Sequence, residues 1–120
     1  MSSQLSSTLS AKNCIDDDID TYCHTDGGIN QWLSVELLAT EPPQIVTGVE
    51  VYNRQNGYWN RLGSFEVWVG SSSGQWGAGS GATLCVAATA PATAGPFVHA
   101  CDTGRLHVGK FVTIVLRSGA

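Results

Sequence analysis

Residues 61–70 read Arg-Leu-Gly-Ser-Phe-Glu-Val-Trp-Val-Gly, and within them Phe65, Val67 and Val69 alternate with Glu66 and Trp68. A period of two sends alternate side chains to opposite faces, which is the signature of a strand with one face on a core. The same alternation lies on the N-terminal side. Leu33, Val35 and Leu37 alternate with Ser34, Glu36 and Leu38, and Val49 and Val51 with Glu50 and Tyr52. Toward the C-terminus, residues 110–116 are apolar on both faces, as expected of a central strand covered from two sides. Punctuating residues separate these runs: Glu41-Pro42-Pro43, Asn56-Gly57, residues 71–81 and residues 90–96. The Gly- and Ser-rich stretch 71–81 reads as a long surface loop, because strands continue after it. No window carries a 3.6-residue apolar stripe, and there is no internal repeat. The expected fold is all-β, an antiparallel β-sandwich or jelly roll.

The whole chain, residues 1–120, is one domain with one core. Charged residues make up 13%, against roughly 25% in ordinary soluble domains, which argues against a helical bundle or coiled coil. Ten acids against six bases give a net charge of −4, which excludes the basic footprint of a nucleic-acid binder. No apolar run approaches the ~20 residues of a transmembrane helix.

The negative charge is local. Asp16, Asp17, Asp18 and Asp20 fall within five residues, and the other six acids balance the six bases. Carboxylates this close repel one another. One reading is a solvated acidic turn; the other is a Ca²⁺ loop, since hard cations take oxygen ligands from short Asp/Asn segments. The spacing is not that of an EF-hand.

Cys14, Cys23, Cys85 and Cys101 allow three pairings. None has CxxC spacing, so neither a zinc site nor a dithiol redox motif is expected. Nearest-neighbour pairing is favoured, Cys14 with Cys23 and Cys85 with Cys101. That implies an oxidising, extracellular or cell-surface setting, four free thiols being the alternative. The first ten residues carry no secretion signal, so a domain excised from a longer secreted chain is expected.

Two segments are richer in polar detail than a sandwich needs. One is residues 13–25, the acidic loop ending in Tyr22-Cys23-His24-Thr25. The other is residues 52–62, in which Arg54 and Arg61 stand seven apart with Tyr58 and Trp59 between them. Guanidinium forks beside flat aromatic faces suit a ligand with hydroxyls on one side and C–H bonds on the other, which describes a sugar. The alternative is that both arginines pair with nearby acids and the aromatics plug the end of the sandwich.

The runs Asn13-Cys14-Ile15-Asp16-Asp17-Asp18, Cys23-His24-Thr25, Gln31-Trp32-Leu33-Ser34-Val35-Glu36-Leu37, Val51-Tyr52-Asn53-Arg54 and residues 61–70 together resemble a known family. It is the F-type lectin (fucolectin) branch of the discoidin-like, coagulation-factor C-type domains. The resemblance spans residues 6–117. It implies a discoidin-like antiparallel jelly roll, a structural Ca²⁺ and, in the lectin branch, binding of fucose. Its sugar-binding His and two Arg fall on His24, Arg54 and Arg61. The family's Asp after the first Arg is Asn56 here, and Tyr58 or Trp59 would supply an aromatic face. The metal ligands fall on Asn13, Asp16, Asp18 and Thr21, with Asp16 giving a carboxylate and Asn13 and Asp18 backbone carbonyls. The family's first strand is shortened here, and the chain stops on the approach to the last, at residues 117–120. Open sheet edges are therefore expected to favour a homodimer by strand pairing.

The leading expectation is a Ca²⁺-stabilised carbohydrate-binding module for a fucosylated or related glycan. The alternative is a discoidin-type adhesion domain that binds a protein, matrix or membrane surface. An enzyme is not expected: a half-cystine cannot be a thiolate, and no third group orients His24. His99 and His107 read as ordinary surface or core residues.

Overall fold

The computed structural model describes residues 1–118. Eight strands run through them in chain order: β1 (Trp32–Glu36), β2 (Gln44–Ile45), β3 (Gly48–Val51), β4 (Ser64–Gly70), β5 (Thr83–Thr89), β6 (Phe97–Ala100), β7 (Val108–Gly109) and β8 (Phe111–Leu116). Among the described residues the only helical pieces are two short 3-10 turns, Ala11–Cys14 and Trp59–Arg61. A four-stranded sheet in the order β1-β8-β4-β5 faces two antiparallel pairs, β2-β7 and β3-β6. All pairings are antiparallel. The architecture is the antiparallel sandwich expected from the alternation, in the discoidin-like jelly-roll form that the resemblance implies.

The inner face of the large sheet builds the core. Phe65, Val67 and Val69 of β4, Cys85 of β5 and Val112 of β8 are buried together with Cys101. Val49 and Val51 of β3 and Ile114 and Leu116 of β8 pack against them. Burying each such aliphatic or aromatic side chain stabilises by roughly 1.5–3 kcal/mol. The edge of His99 meets the Phe65 ring at 5.6 Å between centroids. His107 is buried, accepting from the Thr83 hydroxyl and donating to the Asp102 carbonyl, both at 2.8 Å. Both histidines are therefore packing residues.

Strand β8 lies between β1 and β4, the central place its two apolar faces predict. Its second face, with Thr113 and Val115, is buried as well, and residues 71–82 reach this side of the sheet at Trp32 and Ser34. Residues 71–81 form the long surface loop expected, and the loop also packs on the outer face of the sheet. The Gly74 N–H donates to Ser34 Oγ at 2.8 Å, and Ser34 shares a 2.6 Å hydrogen bond with Thr113. A Cβ on Gly74, at φ +75°, would stand 2.8 Å from the Trp32 ring. Gln75 holds the loop's shape, accepting from Ser71 N–H at 2.6 Å and donating to the Ser80 carbonyl at 2.6 Å. Arg117 reaches the loop, with Glu66 at 3.5 Å and the Trp76 ring at 5.5 Å.

Both disulfides follow nearest-neighbour pairing, Cys14–Cys23 and Cys85–Cys101. The register of β4 on β5 shifts between Val67 and Trp68, leaving Cys85 as the extra residue of a bulge. Cys85 and Val86 thus both join the core. No strand precedes β1 among the described residues, in line with a shortened first strand. Instead Ser2 lies along β1, its N–H donating to the Trp32 carbonyl and its Oγ accepting from the Trp32 N–H, both at 2.8 Å. Leu116 donates to the neighbouring carbonyl of Gln31 at 2.8 Å, so the first residues and the end of β8 meet at one point. The expected truncation of the last strand falls partly on residues 119–120, which lie outside the described residues.

Candidate functional site

At one end of the sandwich, residues 13–25 meet the loop from β3 to β4. Asn53 sets the shape of that loop. Its Nδ2 donates to the Trp59 carbonyl at 2.8 Å and the Thr93 carbonyl at 3.2 Å, and its Oδ1 accepts from the Arg54 N–H at 2.9 Å. Gly57 and Tyr58 then turn the chain at φ +102° and +57°. Glycine adopts that region freely, whereas a tyrosine there is strained by roughly 1–2 kcal/mol. The 3-10 turn Trp59–Arg61 follows, with the Arg61 N–H donating to the Tyr58 carbonyl at 3.1 Å. This short return brings Arg61 back beside Tyr58.

The outcome is an alternating stack of rings and guanidiniums. The Arg54 guanidinium carbon lies 4.2 Å from the Tyr22 ring centroid and 4.8 Å from that of Tyr58. Arg61 lies against the same Tyr58 ring at 4.2 Å. Arg54 is further fixed by hydrogen bonds from Nη2 to the Tyr22 hydroxyl at 2.9 Å and from Nε to Asn56 Oδ1 at 2.8 Å. Asn56 thus orients Arg54, and the ring of Tyr58 joins the two arginines. The alternative in which the arginines pair with acids is not what the fold adopts. Among the described residues the one ion pair is Arg117 with Glu66.

His24 is set by the backbone on both sides, its N–H donating to the Leu9 carbonyl at 3.1 Å and its carbonyl accepting from the Leu5 N–H at 2.9 Å. Its Nδ1 faces the Thr25 carbonyl, an acceptor, so Nδ1 carries the proton and Nε2 is left for other partners. The Cys14–Cys23 bond anchors the residue just before it.

His24, Arg54 and Arg61 line one cavity of about 190 Å³, together with Tyr22, Tyr52, Trp32 and an apolar wall of Leu33, Val51, Leu62 and Ile114. Pockets for drug-sized ligands begin near ~300 Å³, so this one suits a single small ring. Asn56 and Tyr58 stand behind the arginines and do not line it; Trp59 is 37% exposed and does not line it either. The sequence reading missed Tyr22, Tyr52 and Trp32. Tyr22 had a usable signal, because it stands two residues from His24 in an extended segment, the spacing that sends both side chains to one side. Tyr52 is felt by acids on its other flank: a hydrogen bond with Glu50 and that carboxylate's charge push its phenol up.

In the acidic loop, three oxygens gather around the Thr21 hydroxyl. It lies 2.6 Å from Asp16 Oδ2, 3.0 Å from the Asp18 carbonyl and 3.3 Å from the Asn13 carbonyl. A hydroxyl has one proton to give to these three acceptors. The other Asp16 oxygen accepts from the Asp18 N–H at 3.0 Å, and Asp18 Oδ1 from the Asp20 N–H at 2.9 Å. The Thr21 hydroxyl holds the Asp16 carboxyl below its ordinary range. Among the described residues no group of three His, Cys, Asp or Glu side chains is disposed to hold a metal. The gathered set is instead one carboxylate, two carbonyls and a hydroxyl, a donor chemistry that fits a hard cation.

A family model described as a NedA-like, galactose-binding domain matches residues 13–100. Among solved structures, the chain is similar to the family 32 CBM of NanJ from C. perfringens, solved in complex with galactose. The TM-score is 0.70 at 19% identity, covering 98% of this chain and 80% of that one. It is also similar to an f-lectin (fucolectin) from the serum of Morone saxatilis, striped bass. There the TM-score is 0.74 at 24% identity, and 98% of this chain spans 40% of that one. A search of curated proteins gave no match.

Proposed function

The chain belongs to the family of NedA-like, galactose-binding domains, and from that membership we propose that it is a non-catalytic module that binds a galactose- or fucose-type sugar of a glycan. The observation that carries this reading is the convergence of His24, Arg54 and Arg61 on one small cavity with an apolar wall. Guanidinium N–H groups donate to ring hydroxyls and His24 Nε2 reaches another, while the apolar wall takes the C–H face or the methyl of a deoxy sugar. The stack fixes Arg54 before any ligand arrives, which lowers the ordering entropy lost on binding. Single-site affinity is expected to be weak, because a monosaccharide has few atoms.

A structural Ca²⁺ is part of the proposal. The oxygens of Asn13, Asp16, Asp18 and Thr21 would hold it, and its charge would offset the repulsion among Asp16, Asp17, Asp18 and Asp20. A firm loop there would steady His24 through Cys14–Cys23. The two disulfides support an extracellular or cell-surface location, and no helix among the described residues is long and apolar enough to cross a membrane. Pairs β2-β7 and β3-β6, each two strands wide, support homodimerisation through open edges; sedimentation as a pure monomer at high concentration counts against that part.

A glycan array probed in Ca²⁺ and again after chelation tests the reading. Binding to fucosylated or galactosylated glycans that weakens on chelation supports both the sugar site and the metal. The exposed Trp59 favours a second reading, adhesion to a protein or membrane surface. A blank array from folded protein, with vesicle or matrix binding lost in Trp59→Ala, would replace the first reading with the second.

A further inference from the structure

The two arginines of the site lie against one tyrosine ring with no carboxylate beside them. Tyr58 holds the guanidiniums of Arg54 and Arg61 at 4.8 and 4.2 Å from its centroid, at a strained backbone angle. The side chain that meets Arg54 in the ring plane is Asn56, a neutral amide. Arg54 spends its Nε and Nη2 donors inside the protein. Arg61 is exposed, and among the described residues its guanidinium N–H groups have no protein acceptor. In the adjoining acidic loop, Asp16 takes hydrogen bonds from Thr21 and the Asp18 backbone and Asp18 from the Asp20 backbone, and among the described residues no acid forms an ion pair with either arginine.

Hydroxyls need donors but not a net charge, and neutral amides would serve them at less repulsion. Two uncompensated guanidiniums at the rim of an apolar cavity are the arrangement an oxyanion satisfies, since charge-assisted hydrogen bonds to a planar fork are about twice as strong as neutral ones. We propose that this site prefers an anionic sugar, a ring bearing a carboxylate or a sulfate, whose apolar face meets the wall of Leu33, Val51 and Leu62 and whose oxyanion is received by Arg61. The inference rests on the sugar-binding reading and narrows its ligand class.

Calorimetric titration with matched pairs tests it: methyl galactoside against methyl galacturonate and a sulfated galactoside, and L-fucose against a sulfated L-fucose. At least one charged member is expected to bind about ten-fold tighter than its neutral parent near 50 mM salt, with the gap narrowing near 500 mM as the charges are screened. Whether the carboxylate or the sulfate carries the gain identifies the oxyanion. Asn56→Asp sets a carboxylate beside Arg54 on an exposed side chain and is expected to shrink the gap to under about three-fold. Arg61→Gln should erase it while the thermal unfolding midpoint holds. Neutral parents that bind as well as both charged forms overturn the proposal and leave the sugar reading intact, as does a gap that Asn56→Asp and Arg61→Gln both fail to move. Inorganic sulfate that binds as tightly as the sulfated sugars also overturns it. Folded protein that binds none of these sugars overturns the sugar reading, and this inference with it.

Discussion

The ring of Tyr58 supports the guanidinium of Arg61 at 4.2 Å, and it does so from a left-handed backbone angle of φ +57°. A strained residue whose side chain organises two site arginines has its strain offset by its contacts. Cation–π contacts at exposed positions are worth about 0.5–1 kcal/mol each. Tyr58→Gly removes two of them and relieves the backbone. Sugar affinity is expected to fall about five- to ten-fold while the unfolding midpoint stays level or rises. Unchanged affinity by calorimetry would show that the arginines hold their places without the ring.

Acid should loosen the loop of residues 13–25 at a defined point. The Thr21 hydroxyl holds Asp16 below the ordinary carboxylate range, so the folded state binds this proton less readily than the unfolded one. Its contribution to stability is therefore present above the ordinary carboxylate pKa and is lost as pH falls through the lowered folded value. In metal-free protein, Asp16→Asn should be less stable than the parent near neutral pH, the two converging as pH falls below the ordinary carboxylate range. Thermal melts across that range check it.

Calcium should raise the melting temperature of the parent and leave Asp16→Ala unmoved. A ligand that binds only the folded state stabilises by about 2.7 kcal/mol at a hundred times its Kd. Melts with and without chelator measure this directly; an equal rise in both proteins would place any bound ion elsewhere.

The two disulfides should separate under reductant. Cys14 is exposed, whereas Cys85 and Cys101 are buried at 1% and 6% exposure. Under native conditions the Cys14–Cys23 bond is expected to open first, giving two alkylatable thiols by mass. Losing that link costs about 2–4 kcal/mol, and sugar binding should fall because His24 follows Cys23. Four thiols appearing together would mean that reduction goes through opening of the whole domain and not locally at residues 13–25.

Gly74→Ala tests the packing of this loop on the large sheet. The added Cβ would stand 2.8 Å from the Trp32 ring, at a φ of +75° that alanine disfavours. A loss of about 1–3 kcal/mol is expected, read as a lower urea midpoint at unchanged slope. A neutral result would mean that residues 71–82 lift away at little cost.

Strict alternation made β1, β3 and β4 legible, because one face of each meets the core. The double-sided run of β8 was legible for the complementary reason. Strand β5 was not, since the bulge at Cys85 sends two successive residues inward and erases the period of two. The packing of residues 71–81 on the sheet was not, because glycine and serine signal a loop whether or not it packs on anything. The burial of Thr113 and Val115 on the second face of β8 was written in the apolar pattern. At the site, the two arginines and His24 could be named from residue type and spacing. The stack could not, because it depends on one turn of the backbone at Gly57 and Tyr58.

Ser2 and Leu116 are bonded to adjacent residues, Trp32 and Gln31. Residues 2 and 116 therefore meet at one corner of the sandwich, and Met1 and Leu116 both border the cavity. A bulky group attached at Met1 would stand beside the mouth of the site, close enough to shade a large glycan.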